Sequence, residues 1–390
     1  MSVSNKDVFR VCINSPGIKP GEWSLPALFW GEPGAGKTAM LRHESRLMGL
    51  HCFVLSPGEM GEGAFGVVPV PLSAGPGLPV RITYPAPEWV DQIGDEAVLF
   101  VDELSSAPPQ LHPPLLGLLL EKRIGGVKLA PGIRIVGAAN PPAIAANGFD
   151  LAPPVANRMG HFEWTLQDAD EWGAYMLRKN WHDTSVPDAV DMTAIRTANK
   201  QRVLAHYDTA YAKAAALVGA FLHRKPDSKN KMPAEGASGM ASWAYPTDRS
   251  WDMATCAIAG AEANGASLEV SDYLIAGFVG AGAAKELAAF RHESDLPDPV
   301  AILDGKLAFK HTQNRMDRTY ATLGACAAIV GKDNDKKRQA DRAKLLWGIL
   351  GTLADSNGDL ALRPAKMLVE AQLPNMDVGK KLTDLVAATK

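Results

Sequence analysis

Residues 31–38 read GEPGAGKT, and no other stretch limits the possible folds of this chain as tightly. The segment satisfies the pattern G-x-x-x-x-G-K-[ST] at every fixed position. An apolar run, 25–30 (LPALFW), precedes it, and a segment of helical character, 39–50, follows it. Strand, glycine-rich loop and helix in that order are the context a phosphate-binding loop requires. Gly31, Gly34 and Gly36 let the backbone curl so that successive N–H groups point inward. Those dipoles and the helix N-terminus together favour a bound polyphosphate. In such a loop Lys37 reaches the β- and γ-phosphates, and the Thr38 hydroxyl ligates Mg²⁺. Glu32, Pro33, Ala35 and Ala39 complete the candidate nucleotide-binding set.

The chain has 390 residues, too many for one average domain, and two domains with a helical extension are the natural expectation. Hydrophobic residues make up 46%, enough for a sizeable core. The net charge is −3, so no strong positive field exists to hold DNA or RNA. Cys12, Cys52, Cys256 and Cys326 are scattered without C-x-x-C spacing. That suggests buried thiols in a reducing compartment rather than a zinc site or disulfide frame. The N-terminus is polar, and the longest apolar stretches, such as 274–284, fall far short of a membrane span. A cytoplasmic protein is expected.

The first 166 residues alternate short apolar runs with helical or loop segments, which predicts a parallel sheet with crossovers. Five runs stand out: 25–30, 51–55, 97–101, 133–139 and 161–166. Most lack polar alternation, as strands covered on both faces do. Between the second and third lies 56–87, with seven prolines and six glycines in 32 residues. It can be neither a long helix nor a central strand. It reads as a structured insertion with 80–84 as a short strand, because Phe65, Val67, Val68 and Val70 give it something to bury; disorder is the alternative. Beyond residue 166 the chain turns helical, over 168–180, 205–223, 250–263, 271–291, 315–330, 338–353 and 364–373. A polar loop, 225–239, interrupts it. The run 332–344 mixes nine charges of both signs, as a solvated helix and loop would; a partner contact is the other reading.

A phosphate loop needs a carboxylate partner for magnesium. Residues 97–103 read AVLFVDE, an apolar strand ending in two acids 65 residues after Lys37. Asp102 is the candidate to hold Mg²⁺ through water, and Glu103 to polarise the attacking water as general base. The next strand, IRIVGAAN, ends at Asn140 before Pro141 and Pro142. Asn140 can donate to a γ-phosphate and accept from the lytic water; a turn-initiating Asn before proline is the alternative.

Taken in order, these motifs resemble those of the AAA+ ATPases, and within them the MoxR group. The resemblance covers about residues 10–290. It rests on GEPGAGKT, LFVDELSSAPPQ, the hairpin-like EKRIGGVKLAPGIRIV, the strand end GAANPP, and the segments LAPPVANRM and AYPTDRSWDMA. It implies an α/β P-loop AAA+ core with a five-stranded parallel sheet over 1–170. An all-α lid over 171–300 and a C-terminal helical extension over 301–390 follow. The hairpin over 123–134 matches one family insertion, and 56–87 sits where another interrupts the second helix. Arg158 in ANRM matches the arginine finger, with Arg123 and Arg134 in reserve. Arg249 in TDRSW matches the sensor arginine of the lid, implied to act in cis.

The resemblance further implies ATP and Mg²⁺ as cofactors and a homo-oligomeric ring, commonly of six, in which Arg158 serves the neighbour's nucleotide. It also implies chaperone-like remodelling of a protein partner, often one with a von Willebrand factor A (VWA) domain. Two other readings stay open. A nucleic-acid motor would use the hairpin's Lys122, Arg123, Lys128 and Arg134, although nucleic acid is disfavoured by the acidic chain. A nucleotide-gated scaffold would bind ATP and scarcely turn it over.

Overall fold

The computed structural model describes residues 3–72, 81–141, 151–166, 169–178, 189–233, 243–294, 296–311 and 315–373. By packing the chain divides into two units, Met1–Ala205 with Asn230–Ala281, and His206–Lys229 with Gly282–Lys390.

The first unit opens with helix α1 (Asn5–Ile13), whose start is capped by the Ser4 side chain. Its polar start gives no strong helix signal, and burial of Val8, Phe9, Val11, Cys12 and Ile13 decides it. Strand β1 (Ala27–Trp30), helix α2 (Lys37–Leu47) and strand β2 (His51–Leu55) follow. The proline-rich insertion then contributes a turn of helix, α3 (Pro57–Met60), and a small antiparallel pair, β3 (Val70–Leu72) and β4 (Arg81–Thr83). Phe65 anchors the insertion, fully buried. Val80, part of the expected strand there, lies outside the described residues. After α4 (Trp89–Ile93) come β5 (Ala97–Val101) and α5 (His112–Glu121).

A two-residue hairpin, β6 (Arg123–Ile124) and β7 (Val127–Lys128), leads to β8 (Arg134–Ala139). Its Gly126 N–H donates to the Tyr84 carbonyl, tying the two insertions together. The short α6 (Pro153–Ala156) precedes β9 (Gly160–Glu163). Then come α7 (Ala169–Arg178) and α8 (Ala189–Arg224), which supplies residues to both units. Helices α9 (Asp248–Asn264) and α10 (Leu268–Val279) complete the first unit.

All five apolar runs enter one parallel sheet in the order β2-β5-β8-β1-β9. β1, β5 and β8 are buried at every position, because helices cover both faces. This is the α/β P-loop fold. From β1 the chain runs outward to the edge at β2 and steps back through β5 to β8. From β8 it passes over β1 to β9. Neighbouring β1 and β8 therefore send their connections in opposite directions, and a ligand crevice opens at their carboxyl ends.

The hairpin's charge corrects one expectation. Arg134 is 1% exposed and donates to the Ile13 carbonyl at 2.8 Å and to Glu96 at 2.7 Å. Lys122 is also buried, its ammonium on the Trp23 and Pro131 carbonyls. Two of the four hairpin cations are thus structural, and Arg134 is withdrawn as a reserve arginine finger.

The helical region matches its sequence pattern with three differences. The run 271–291 breaks at Gly280, which has φ 82°. Helix α8 begins sixteen residues earlier than the alanine-rich pattern suggests, because Met192 and Val203 are buried. Residues 168, 179–180 and 234–239, named in the expected helix and loop, lie outside the described residues. The second unit holds α11 (Ala281–Ser294), α12 (Pro299–Leu303), α13 (Met316–Gly331) and α14 (Lys336–Glu370), and the last three pack around Trp347. The two runs 338–353 and 364–373 join in α14 across a kink at Asn357. The charges of 332–344 pair within this unit: Asp333 receives Arg338 and Arg342, and Arg342 also reaches Asp304. No described helix is long and apolar enough to cross a membrane.

His161 on β9 links the sheet to residue 243. It stacks on Trp30 and tilts against Trp243. The Trp30 indole donates to His161 Nδ1 at 2.9 Å, so Nε2 carries the proton and meets the Ala156 carbonyl. Burial pushes its pKa from 6.5 down to about 4. The unfolded chain therefore takes up this proton first. Its contribution is intact above pH 6.5 and is lost as pH falls toward 4, by on the order of 3 kcal/mol in all. In denaturant titrations from pH 7 to pH 4, His161→Asn should remove about one proton from the uptake on unfolding. Equal uptake in parent and variant would contradict this account of His161.

Candidate functional site

Between β1 and α2 the backbone makes the curl the motif demands. Gly34 and Gly36 adopt φ of 77° and 76°, a left-handed region closed to most side chains. Gly31 is held to glycine for another reason: a Cβ there would lie 2.5 Å from Trp164 Cβ. Its N–H donates to the Ala139 carbonyl at 3.1 Å, keeping the ends of β1 and β8 together. Gly36 is the N-cap of α2 and no side chain caps the helix. The first-turn N–H groups, which have no intrahelical acceptor, thus face the loop. Glu32, Pro33 and Gly34 are exposed on the curl, and Ala39 is exposed in the first turn of α2.

Lys37 folds back under this loop. Its ammonium donates to the Gly31 carbonyl at 2.8 Å, the Glu32 carbonyl at 2.9 Å and Asn140 Oδ1 at 3.3 Å. Burial pushes its pKa down, and the charges of Asp102 and then Glu103 pull it back up. The next residue, Thr38, donates its hydroxyl to Asp102 Oδ2 at 2.7 Å. Asp102 is fixed in turn, its N–H on the Leu55 carbonyl at 2.7 Å and its Oδ1 accepting from the Glu103 N–H. Glu103 has φ 52°, unusual for a residue with a Cβ, and is exposed. The two adjacent acids differ in environment, Asp102 being engaged by Thr38 and Glu103 exposed. Lys37, Thr38, Asp102, Glu103 and Asn140 therefore gather at the carboxyl ends of β1, β5 and β8.

This set suits a polyphosphate with a hard divalent cation. The loop offers backbone N–H groups, a helix N-terminus and one ammonium. Thr38 and Asp102 offer two neighbouring oxygens, the partial ligand set that suits Mg²⁺ completing its shell with phosphate and water. Among the described residues no group of three or more His, Cys, Asp or Glu side chains forms a self-sufficient metal cage.

Arg158 and Arg249 lie elsewhere. They line one cavity of about 370 Å³ with Pro26, Ile135, Asp248 and Asp252. Pro26 precedes β1 and Ile135 is the second residue of β8, so this cavity is at the amino-terminal end of the sheet. Five residues of strand separate Ile135 from Asn140, about 16 Å of rise. The two arginines sense each other: burial first, then the charge of Arg249, pushes the Arg158 guanidinium down, with Glu121 opposing. Arg158 donates to the Pro154 carbonyl. The Thr247 hydroxyl, at the N-cap of α9, donates to Asn157 Oδ1 at 3.0 Å and seats the Arg249 turn beside Arg158. The expectation that Arg249 serves its own chain's nucleotide does not fit this placement.

Two supporting residues have no role assigned from the sequence. Ser105 bonds both main-chain groups of Asn140. The indole of Trp164, just after β9, donates to the Ala35 carbonyl at 3.1 Å and braces the loop from the side of β9. Ser105 falls inside the segment LFVDELSSAPPQ and Trp164 inside the fifth apolar run, but nothing local singles out either side chain.

No protein-family model matches the sequence, and no curated protein matches it. Among solved structures, the chain is similar in outline to a crystal structure, at 2.00 Å resolution, of a protein from Cytophaga hutchinsonii described as a candidate ATPase. The two are 13% identical, the match covers 70% of this chain and 78% of that one, and the TM-score is 0.42.

Trp164→Phe keeps the packing on Gly31 and removes one hydrogen bond to the loop. Calorimetric titration with Mg²⁺ and a triphosphate nucleotide should give about fivefold weaker binding, the worth of one neutral hydrogen bond. Unchanged affinity would mean that the indole does not brace the loop.

Proposed function

We propose that this chain is a Mg²⁺-dependent ATPase of the MoxR type within the AAA+ group. The carrying observation is the convergence of Lys37 with Asn140 and of Thr38 with Asp102 beside a left-handed Glu103. In this reading the curl from Gly31 to Thr38 cradles the β- and γ-phosphates, and Lys37 turns its ammonium from the loop carbonyls to phosphate oxygen. Thr38, and Asp102 through water, would hold Mg²⁺, whose charge would offset the negative charge that develops. Glu103 accepts a proton from the attacking water as that water bonds the γ-phosphorus and the bond to the β-phosphate oxygen breaks. Asn140 orients the same water and donates to the γ-phosphate.

Arg158 and Arg249 are a strand's length from their own loop, which supports their acting together on the nucleotide of a neighbouring subunit. A guanidinium fork delivers charge in fixed geometry to the transferring phosphoryl group. Activity then needs a homo-oligomeric ring, proposed to be hexameric. The division into a core over 1–170, a lid over 171–300 and an extension over 301–390 is part of the same proposal. So are a cytoplasmic setting and a protein client remodelled by the ring, of the kind that carries a VWA domain.

Turnover measured with ATP and Mg²⁺ tests the reading. Lys37→Ala should lose tight ATP binding and at least ~100-fold in turnover. Glu103→Gln should bind ATP and stall. Arg158→Ala and Arg249→Ala should each bind ATP and hydrolyse ~10³-fold more slowly. Mixing either with Lys37→Ala subunits should restore some activity. Wild-type turnover in Lys37→Ala would refute the site, and absence of rescue in proven mixed rings would refute the shared one.

A further inference from the structure

We infer that Ser105 is a positioning residue for hydrolysis, stapling the turn that carries Glu103 to the turn that carries Asn140. The inference rests on the ATPase reading above. Ser105 is 2% exposed. Its hydroxyl donates to the Asn140 carbonyl at 3.2 Å and accepts from the Asn140 N–H at 3.3 Å. A hydroxyl has one donor and two acceptor lone pairs, so it can serve both groups at once. Asn140 lies just past the end of β8, and the ladder to β1 has already closed with the Gly31 N–H on the Ala139 carbonyl. A side chain from the neighbouring turn therefore does there what a strand does elsewhere.

The Glu103 side of the staple is equally fixed. The Ser106 N–H and hydroxyl both donate to the Glu103 carbonyl, at 2.8 and 2.7 Å. Glu103 keeps its left-handed φ of 52° inside this turn. The base and the amide must face one water, each within hydrogen-bond reach, roughly 2.6–3.2 Å. Their separation is set by two turns from different strands, and the Ser105 hydroxyl is a direct link between those turns. The Lys37 bond to Asn140 Oδ1 orients the amide but does not reach the Glu103 turn. Loss of Ser105 leaves Lys37, Thr38 and Asp102 untouched. Phosphate and metal binding should persist while the alignment of base, water and amide degrades.

Ser105→Ala tests this with two measurements. In the nucleotide-free protein, hydrogen exchange at the Asn140 amide, followed in a peptide spanning 138–141 or by NMR, should quicken about tenfold. In steady-state turnover with ATP and Mg²⁺, kcat should fall about tenfold while the ATP Kd stays within about twofold. Unchanged exchange would overturn the staple. An unchanged kcat, or a kcat loss matched by an equal loss of affinity, would overturn the positioning role. Failure of the ATPase reading itself looks different, with the Lys37→Ala protein turning over ATP as fast as the parent.

Discussion

The buried ammonium of Lys37 holds the site together. It sits under its own loop on two backbone carbonyls and reaches a third strand end through Asn140. Burial works against its charge, and Asp102 and Glu103 supply the compensating field. A lysine in that position needs all three strand ends where they are: β1 to deliver the loop, β5 to deliver the acids, β8 to deliver the amide. Their parallel alignment and the reversal of connections between β1 and β8 put those ends on one edge.

The same strands act as rulers between two charged places in the first unit. At the carboxyl ends one ammonium faces two carboxylates. At the amino-terminal ends Arg158 and Arg249 share a cavity with Asp248 and Asp252. The Arg249 charge works against Arg158 there, and an added anion between the two guanidinium groups would favour both. In the proposed ring, one subunit's amino-terminal edge would meet the next subunit's phosphate loop and bring a phosphate anion to that pair. That proposal is consistent with both arginines lying a strand's length from their own Lys37.

Much of this was legible in the sequence because the signals are local. GEPGAGKT needs only its own residues to form the curl, and β5 ends in two acids at the residue where its apolar run stops. The runs 51–55 and 97–101 both coincide with observed strands: full burial demands the unbroken apolar run of 97–101, while 51–55, at the sheet edge, is mostly half-buried. What was hidden depends on long-range packing. Helix α1 is short and opens on polar residues, and it forms because its apolar residues are buried. The first half of α8 carries β-branched and polar residues, and its packing outweighs their weak helix preference. Arg134 read as a hairpin cation because nothing nearby in sequence reveals Glu96 and the Ile13 carbonyl as its partners. Ser105 and Trp164 are ordinary residue types whose importance comes entirely from what the fold places beside them.

The most direct measurement is a crystal structure grown with Mg²⁺ and a non-hydrolysable ATP analogue. The account predicts the triphosphate along residues 31–38 and a magnesium about 2.1 Å from Thr38 Oγ1. It also predicts the Lys37 ammonium on phosphate oxygen, and Arg158 and Arg249 approaching only a neighbouring subunit's γ-phosphate. Nucleotide bound away from that loop, or Arg249 on its own chain's phosphate, would contradict it.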